Sequence, residues 1–137
     1  MTSPRSARAA LGLLFASALA IGSTATLFPR TFYDDFPFLA HWVQLLPPYN
    51  EHLVTDVGGL YLGYAVLFAW AAWSLDRTLV LAACAAWALA AALHLLFHSS
   101  HLAAFGTADA IAEIVTLALL LAPPAVAIWA TGPGGDG

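Results

Sequence analysis

Four long apolar stretches alternate with short polar breaks along the chain, over about residues 9–28, 52–73, 78–99 and 108–130. Each is long enough to cross a hydrocarbon layer, which takes about 20 residues as an α-helix. The break at Ser74-Leu75-Asp76-Arg77 leaves room only for a tight hairpin turn. Asp76 suits the N-cap of the third helix, because its carboxylate accepts from N–H groups that have no partner in the first turn. Gly106 suits a helix stop and Thr107 the next N-cap. Pro123 and Pro124 predict a kink near the far end of the fourth stretch, leaving residues 125–130 as a last turn or interfacial tail. The final Gly-Pro-Gly-Gly-Asp-Gly reads as a loose terminus.

The longest break runs from about residue 29 to 50. Asp35 followed by Phe36-Pro37 resembles an N-cap and first turn. Phe36, Leu39, Val43 and Leu46 then fall at helical spacing. This predicts a short amphipathic helix over about residues 36–46, lying in a membrane interface and stopped by Pro47-Pro48.

Composition agrees with a lipid environment. Of 137 residues, 61% are hydrophobic and 9% charged, and mean hydropathy is +0.82. Soluble domains carry about 25% charged residues. So short a chain cannot hide this much apolar surface in one aqueous core. The expected fold is all-α: a single integral-membrane four-helix bundle over residues 1–137 with an interfacial helix in its first outer loop. Arg5 and Arg8 ahead of an apolar core, with Ser23-Thr24-Ala25 after it, also outline a secretory signal peptide. The apolar run continues through Thr26, Leu27 and Phe28, which favours a retained helix.

Arginines set the orientation. Arg5, Arg8 and Arg77 fall on one side of a four-crossing chain and Arg30 on the other. Both termini are therefore expected in the cytoplasm, with the chain in a bacterial inner membrane. Without lysine there is no basic patch for nucleic acid. The lone Cys84 excludes an internal disulfide and a Cys-based zinc cluster, and its Ala-rich setting reads as packing. Trp70, Trp73, Trp87 and Trp129 read as packing or interface anchors.

Ionisable residues gather at one end. Asp34, Asp35, His41, Glu51, His52, Asp56, His94, His98, His101, Asp109 and Glu113 all belong to the outer half. Charge inside a spanning segment is costly and usually faces a neighbour. His52, Asp56, Gly59 and Gly63 form one stripe on the second helix, with a GxxxG pair that admits a close helix, whether of a partner or of a second copy. His94, His98 and His101 share one face of the third. Asp109, Glu113 and Thr116 share one face of the fourth. Counting from Asn50 and Thr107 as caps, Asp56 and Glu113 both lie roughly 9 Å deep at 1.5 Å per residue.

A layer of Asp56, His94, His98 and Glu113, with His52 and His101 at its margin, offers ligands for a transition metal such as zinc, iron or copper. The same groups suit acid–base work. Haem held between histidines and proton-coupled transport are further uses. Against these stands a purely structural subunit, its Asp–His and Glu–His pairs locking helices together. Glu51 and Asp109 also suit first-turn positions, where acids favour the helix dipole. His41 and His101 suit an interface.

The stretches Phe32-Tyr33-Asp34-Asp35-Phe36-Pro37 and Pro48-Tyr49-Asn50-Glu51-His52-Leu53-Val54-Thr55-Asp56-Val57-Gly58-Gly59-Leu60 resemble those of an uncharacterised group of small four-helix membrane proteins of high-GC bacteria. The His94–His101 run and Gly106-Thr107-Ala108-Asp109 are similar to that group as well. The resemblance implies a four-helix membrane bundle and no particular activity. In architecture the chain also resembles DoxX-like membrane proteins. His-x-x-x-His-x-x-His is similar to the boxes of membrane di-iron hydroxylases and desaturases. Those use more histidines than the five here, so Asp56 and Glu113 would have to fill the missing places.

Overall fold

The computed structural model describes residues 3–37 and 40–132, and among them every regular element is helical. In chain order these are α1 (Pro4–Leu27), α2 (Pro29–Asp35), α3 (Glu51–Ser74), α4 (Arg77–Ser99), α5 (Thr107–Leu119) and α6 (Ala122–Ala130), with 3-10 turns at Val43–Leu45 and Leu102–Ala104. Four segments are long and apolar enough to cross a membrane: α1, α3, α4, and α5 with α6 together.

Local chemistry explains most helix ends. Asn50 Oδ1 accepts from the Leu53 amide at 3.1 Å, and Asp76 Oδ1 from the Leu79 amide at 2.8 Å, so both are side-chain N-caps. Gly106, not Thr107, is the N-cap of α5, and no side chain caps that end. The α3–α4 hairpin closes through Leu75, whose φ of 52° lies in the left-handed region. A leucine there is strained, and its packing against the core holds it.

The fourth crossing breaks at Leu120 and Leu121, a few residues before the expected kink, so that Pro123 and Pro124 fall in the first turn of α6. There their missing N–H groups cost nothing. Pro124 has no hydrogen to give the Leu120 carbonyl. The Trp87 indole N–H approaches that oxygen instead, at 3.4 Å.

Among the described residues the interfacial helix expected over residues 36–46 is not formed. The helix described in this loop lies earlier, in α2, and the 3-10 turn at Val43–Leu45 follows it. Pro29 starts α2, because a proline at the first helical position loses no bond. Pro37 stops it, because the residue before a proline is pushed to extended backbone, and Phe36 has ψ 145°. Asp35 therefore ends a helix and does not cap one. Phe38 and Leu39 lie outside the described residues, as does the Gly-rich segment 133–137.

The core sits toward the end of the bundle that carries Arg8 and Arg77. Leu11 and Leu14 of α1, Phe68 of α3, and Val80, Cys84 and Trp87 of α4 are buried together. Trp87 meets Tyr61, Tyr64 and Phe68 edge-on at 5.6, 5.5 and 5.4 Å between ring centroids. The arginines of this end cap helices. Arg8 Nε donates to the Ala72 carbonyl at 3.2 Å and Arg77 to the Thr131 carbonyl at 2.6 Å, at the C-termini of α3 and α6. Both carbonyls lack an intrahelical donor and carry the negative end of the helix dipole.

The most extensive contact is α1 against α3. It closes at Gly22 and Gly58. A Cβ on Gly22 would lie 2.9 Å from Leu62, and one on Gly58 would run into Thr26 and the backbone of Ala25. Small residues let backbones approach in this way. At the opposite, polar end the four crossings separate into two pairs, α1 with α3 and α4 with α5, and α5 has little contact with α1 or α3.

Candidate functional site

The packing seam of α4 runs through Val80, Ala83, Cys84 and Trp87, all buried, and continues at helical spacing through Ala91, His94 and His98. On α5, Glu113 is the one buried polar or charged residue among those described, 3% exposed. His98 and Glu113 meet where α4 packs against α5. Their Nδ1 and Oε1 atoms lie 2.7 Å apart, and the His98 side chain is 12% exposed. The atoms are at ion-pair distance but out of line for a linear hydrogen bond, and Glu113 Oε2 is buried with no partner. The His94 ring lies 4.4 Å from that of His98, centroid to centroid, and is itself exposed.

The other expected members of the layer stand elsewhere. Asp56 faces away from the dyad on the open side of α3 and pairs with His52 at 3.3 Å, the two side chains 59% and 87% exposed. The reason is rotational. The glycine that packs against α1 is Gly58, while Gly59 and Gly63 have nothing within 4 Å of an added Cβ. Moving the buried face by one residue turns the His52–Asp56 stripe outward. His101 lies just past α4. Its ring stacks on Phe97 at 4.0 Å, and its Nδ1 lies 2.8 Å from the Phe97 carbonyl.

Asp109, in the first turn of α5, accepts from the Trp42 indole N–H at 3.2 Å. That bond ties the loop before α3 to α5 one turn above Glu113. Sequence reasoning missed Trp42. The available signal was an indole in a polar loop, since a tryptophan N–H near apolar surface usually finds a partner. The rest of the loop is held by Arg30, which binds Asp34 at 2.7 Å and sits over the Tyr49 ring at 5.0 Å. The Asp34 hydrogen bond holds the Arg30 guanidinium above its ordinary pKa. Lost hydration, with the nearby Glu51 carboxylate, raises the Tyr49 phenol. His41, at φ 60°, has its Nδ1 2.7 Å from the Asp34 carbonyl.

This geometry narrows the chemistry. Among the described residues no group of three or more His, Cys, Asp or Glu side chains is arranged to hold a metal ion. The expected layer, with His52 from its margin, divides into an exposed Asp56–His52 pair and a buried Glu113–His98 pair with the His94 imidazole beside it. His94 and His98 belong to α4, and His101 follows its C-terminus. An apolar groove of about 610 Å³ lies between α1 and α3, lined by residues such as Phe15, Leu19 and Trp70, and none of the Glu113–His98 groups lines it.

No family model matches the chain, and neither a curated protein nor a solved structure does. The class that fold and site define is a helical bundle with four segments able to span a bilayer and a carboxyl–imidazole pair buried near one end.

Proposed function

We propose that this chain is a multi-pass protein of the bacterial inner membrane, with both termini cytoplasmic, that takes up and releases protons at Glu113 and His98 from the outer side. Lipid accounts for the large exposed apolar side chains, Leu60, Val66 and Leu96 among them, which cover the flanks of α3 and α4. Arg5, Arg8 and Arg77 favour the cytoplasmic side for the core end. The polar end then faces outward.

The observation that carries the reading is the Glu113 carboxyl: 3% exposed, one oxygen against His98, the other without a partner. An unpaired carboxylate in so dry a place is costly. One proton placed between Oε1 and Nδ1 makes the pair neutral overall, whichever atom carries it. Adding or removing a proton then charges a buried pair, and the His94 imidazole beside it, one turn toward the core end of α4, is a neighbouring acceptor. The other ionisable groups near the pair are His101, just past α4, and Asp109 on α5, the latter occupied by Trp42.

Infrared difference spectra of the protein in lipid vesicles between pH 5 and pH 8 test this. A titrating carboxyl band is expected, lost in Glu113→Gln and shifted in His98→Gln. The same difference spectrum in all three proteins overturns the reading.

A second reading rests on where the pair lies. It joins α4 to α5 at the end where the bundle packs least. As a structural lock it stabilises the polar end and does nothing else. In that case both variants lower the unfolding temperature in detergent and no carboxyl band titrates.

A further inference from the structure

The apolar groove between α1 and α3 has a charged mouth. Arg5, Arg8, Gly12, Phe15 and Leu19 follow one another along α1 at steps of three and four, so they share one line. Phe15 and Leu19 form the groove wall on that side, and Leu62, Val66 and Trp73 belong to the wall on α3. Two contacts fix the walls. Gly22 lies against Leu62 at the inner end, and Arg8 Nε donates to the Ala72 carbonyl at the other. Gly12 stands between the arginines and Phe15, with nothing within 4 Å of an added Cβ, so the slot runs open up to Arg8. From Arg8 to Leu19 it is about 16.5 Å long, at 1.5 Å per residue. That is the depth of one leaflet, half of a hydrocarbon layer of about 30 Å.

The charge at the mouth is unmatched. Arg30 has Asp34, and Arg77 holds the Thr131 carbonyl. Among the described residues no carboxylate pairs with Arg5 or Arg8. Both arginines are exposed. The bond to Ala72 uses only Nε of Arg8 and leaves its terminal fork of N–H donors, which matches phosphate oxygens. We infer that the groove holds one anionic phospholipid, its phosphate on Arg8 and Arg5 and an acyl chain laid along Phe15, Leu19 and Val66. Charge and length identify this occupant together. A free anion gains nothing from a long apolar wall, and a zwitterionic lipid brings its own ammonium to the arginines. A basic mouth on an apolar slot between helices suits a lipid with net negative charge. Trp73 is exposed beside that mouth, at the depth where an indole suits a membrane interface. Such a lipid requires that the chain be the membrane protein proposed above, and is independent of proton exchange at Glu113.

Native mass spectrometry counts the lipid kept by the full-length protein when it is released from detergent micelles holding equal amounts of phosphatidylglycerol and phosphatidylcholine. One phosphatidylglycerol per chain is expected, preferred over phosphatidylcholine by about tenfold or more. Arg8→Gln should lower that preference about fivefold, equivalent to about 1 kcal/mol for one arginine at an anionic headgroup. Arg8→Lys keeps the charge and should restore most of it. Gly12→Leu changes no charge and fills the slot below Arg8, so it should also release the phosphatidylglycerol, and it serves as a second disruption should Arg8→Gln fail to fold. Arg77→Gln is the control: it removes an equal charge at the same end of the bundle, outside the groove, and should leave the preference unchanged. Equal retention of the two lipids by the wild type, an unchanged preference in both Arg8→Gln and Gly12→Leu, or an equal loss in Arg77→Gln would each overturn the inference. Resistance to carbonate extraction from vesicles reports membrane insertion by itself. Inserted protein without a lipid preference overturns the lipid site alone, whereas extracted protein overturns the membrane reading with it.

Discussion

Trp87 and His94 lie two turns apart on one face of α4 and have opposite surroundings. Trp87 is 4% exposed, with three aromatic rings against its edges and its indole N–H directed at the fourth crossing. His94 is exposed and touches chiefly His98. The seam of α4 is continuous, so the change comes from its neighbours. At Trp87 the aromatic residues of α3 and the broken fourth crossing converge. At His94 the ring is exposed and meets His98 of its own helix. One end of this molecule is thus a closed core, and the other is two helix pairs with ionisable groups between and upon them. A site that exchanges protons belongs at the second end, where packing leaves an approach and a small opening costs little free energy.

The contrast is broken most severely at Trp87. Trp87→Ala should destabilise the bundle by about 3–5 kcal/mol, the usual cost of removing a large buried aromatic. Chemical unfolding in mixed micelles measures it, and a loss under 1 kcal/mol would mean that the aromatic cluster is not the core. Gly58→Ala follows, at about 2–3 kcal/mol, because the added methyl meets backbone that has nowhere to move. The paired control is Gly63→Ala, which places the same methyl in open space and should leave folding unchanged within about 0.5 kcal/mol.

That pair of glycines also marks where reasoning from sequence stopped. Asn50 and Asp76 were legible as caps because the chemistry is local: a short acceptor beside free N–H groups. The crossings were legible because about 20 apolar residues have few other uses. Which face of α3 is buried was not legible. Gly58, Gly59 and Gly63 offer two ways to align a smooth helix surface, and the choice depends on Gly22, 36 residues away along the chain. Asp56 moved outward with that choice. Glu113 and His98 stayed together because an acid and an imidazole inside apolar helices come to ion-pair distance where those helices touch. The loop helix was misplaced for a different reason. Asp35-Phe36-Pro37 and Phe28-Pro29 both resemble helix starts, and because the helix begins at the earlier proline, Pro37 falls at its end and stops it.

Smaller effects sharpen the comparison. Glu113→Gln keeps the shape and removes the ionisable group, so it should cost about 1–2 kcal/mol, as for one imperfect buried hydrogen bond. Its effect should be concentrated in α4 and α5. Arg8→Ala uncovers the Ala72 carbonyl at the core end and should cost about 0.5–1 kcal/mol, the size of a favourable charge at a helix C-terminus. Amide exchange in the last turn of α3 should rise in that variant and stay unchanged in α5.

A loss as small as that at Arg8 is the most selective. Trp42→Phe keeps an aromatic ring and removes the indole donor that reaches Asp109 from the loop before α3. The Asp109 carboxylate sits at an exposed helix start and regains water, so global stability should fall by only about 0.5–1 kcal/mol. The first turn of α5, however, has no side-chain cap and little packing against α1 or α3. Loss of the Trp42 bond therefore releases that turn, and the Glu113–His98 pair one turn below becomes easier to reach. Amide hydrogen exchange should quicken over residues 107–113, while the amides around Phe68 and Trp87 keep wild-type protection. Equal acceleration at both ends would show that the two halves open as one unit, and the division between closed core and separable pairs would then fail.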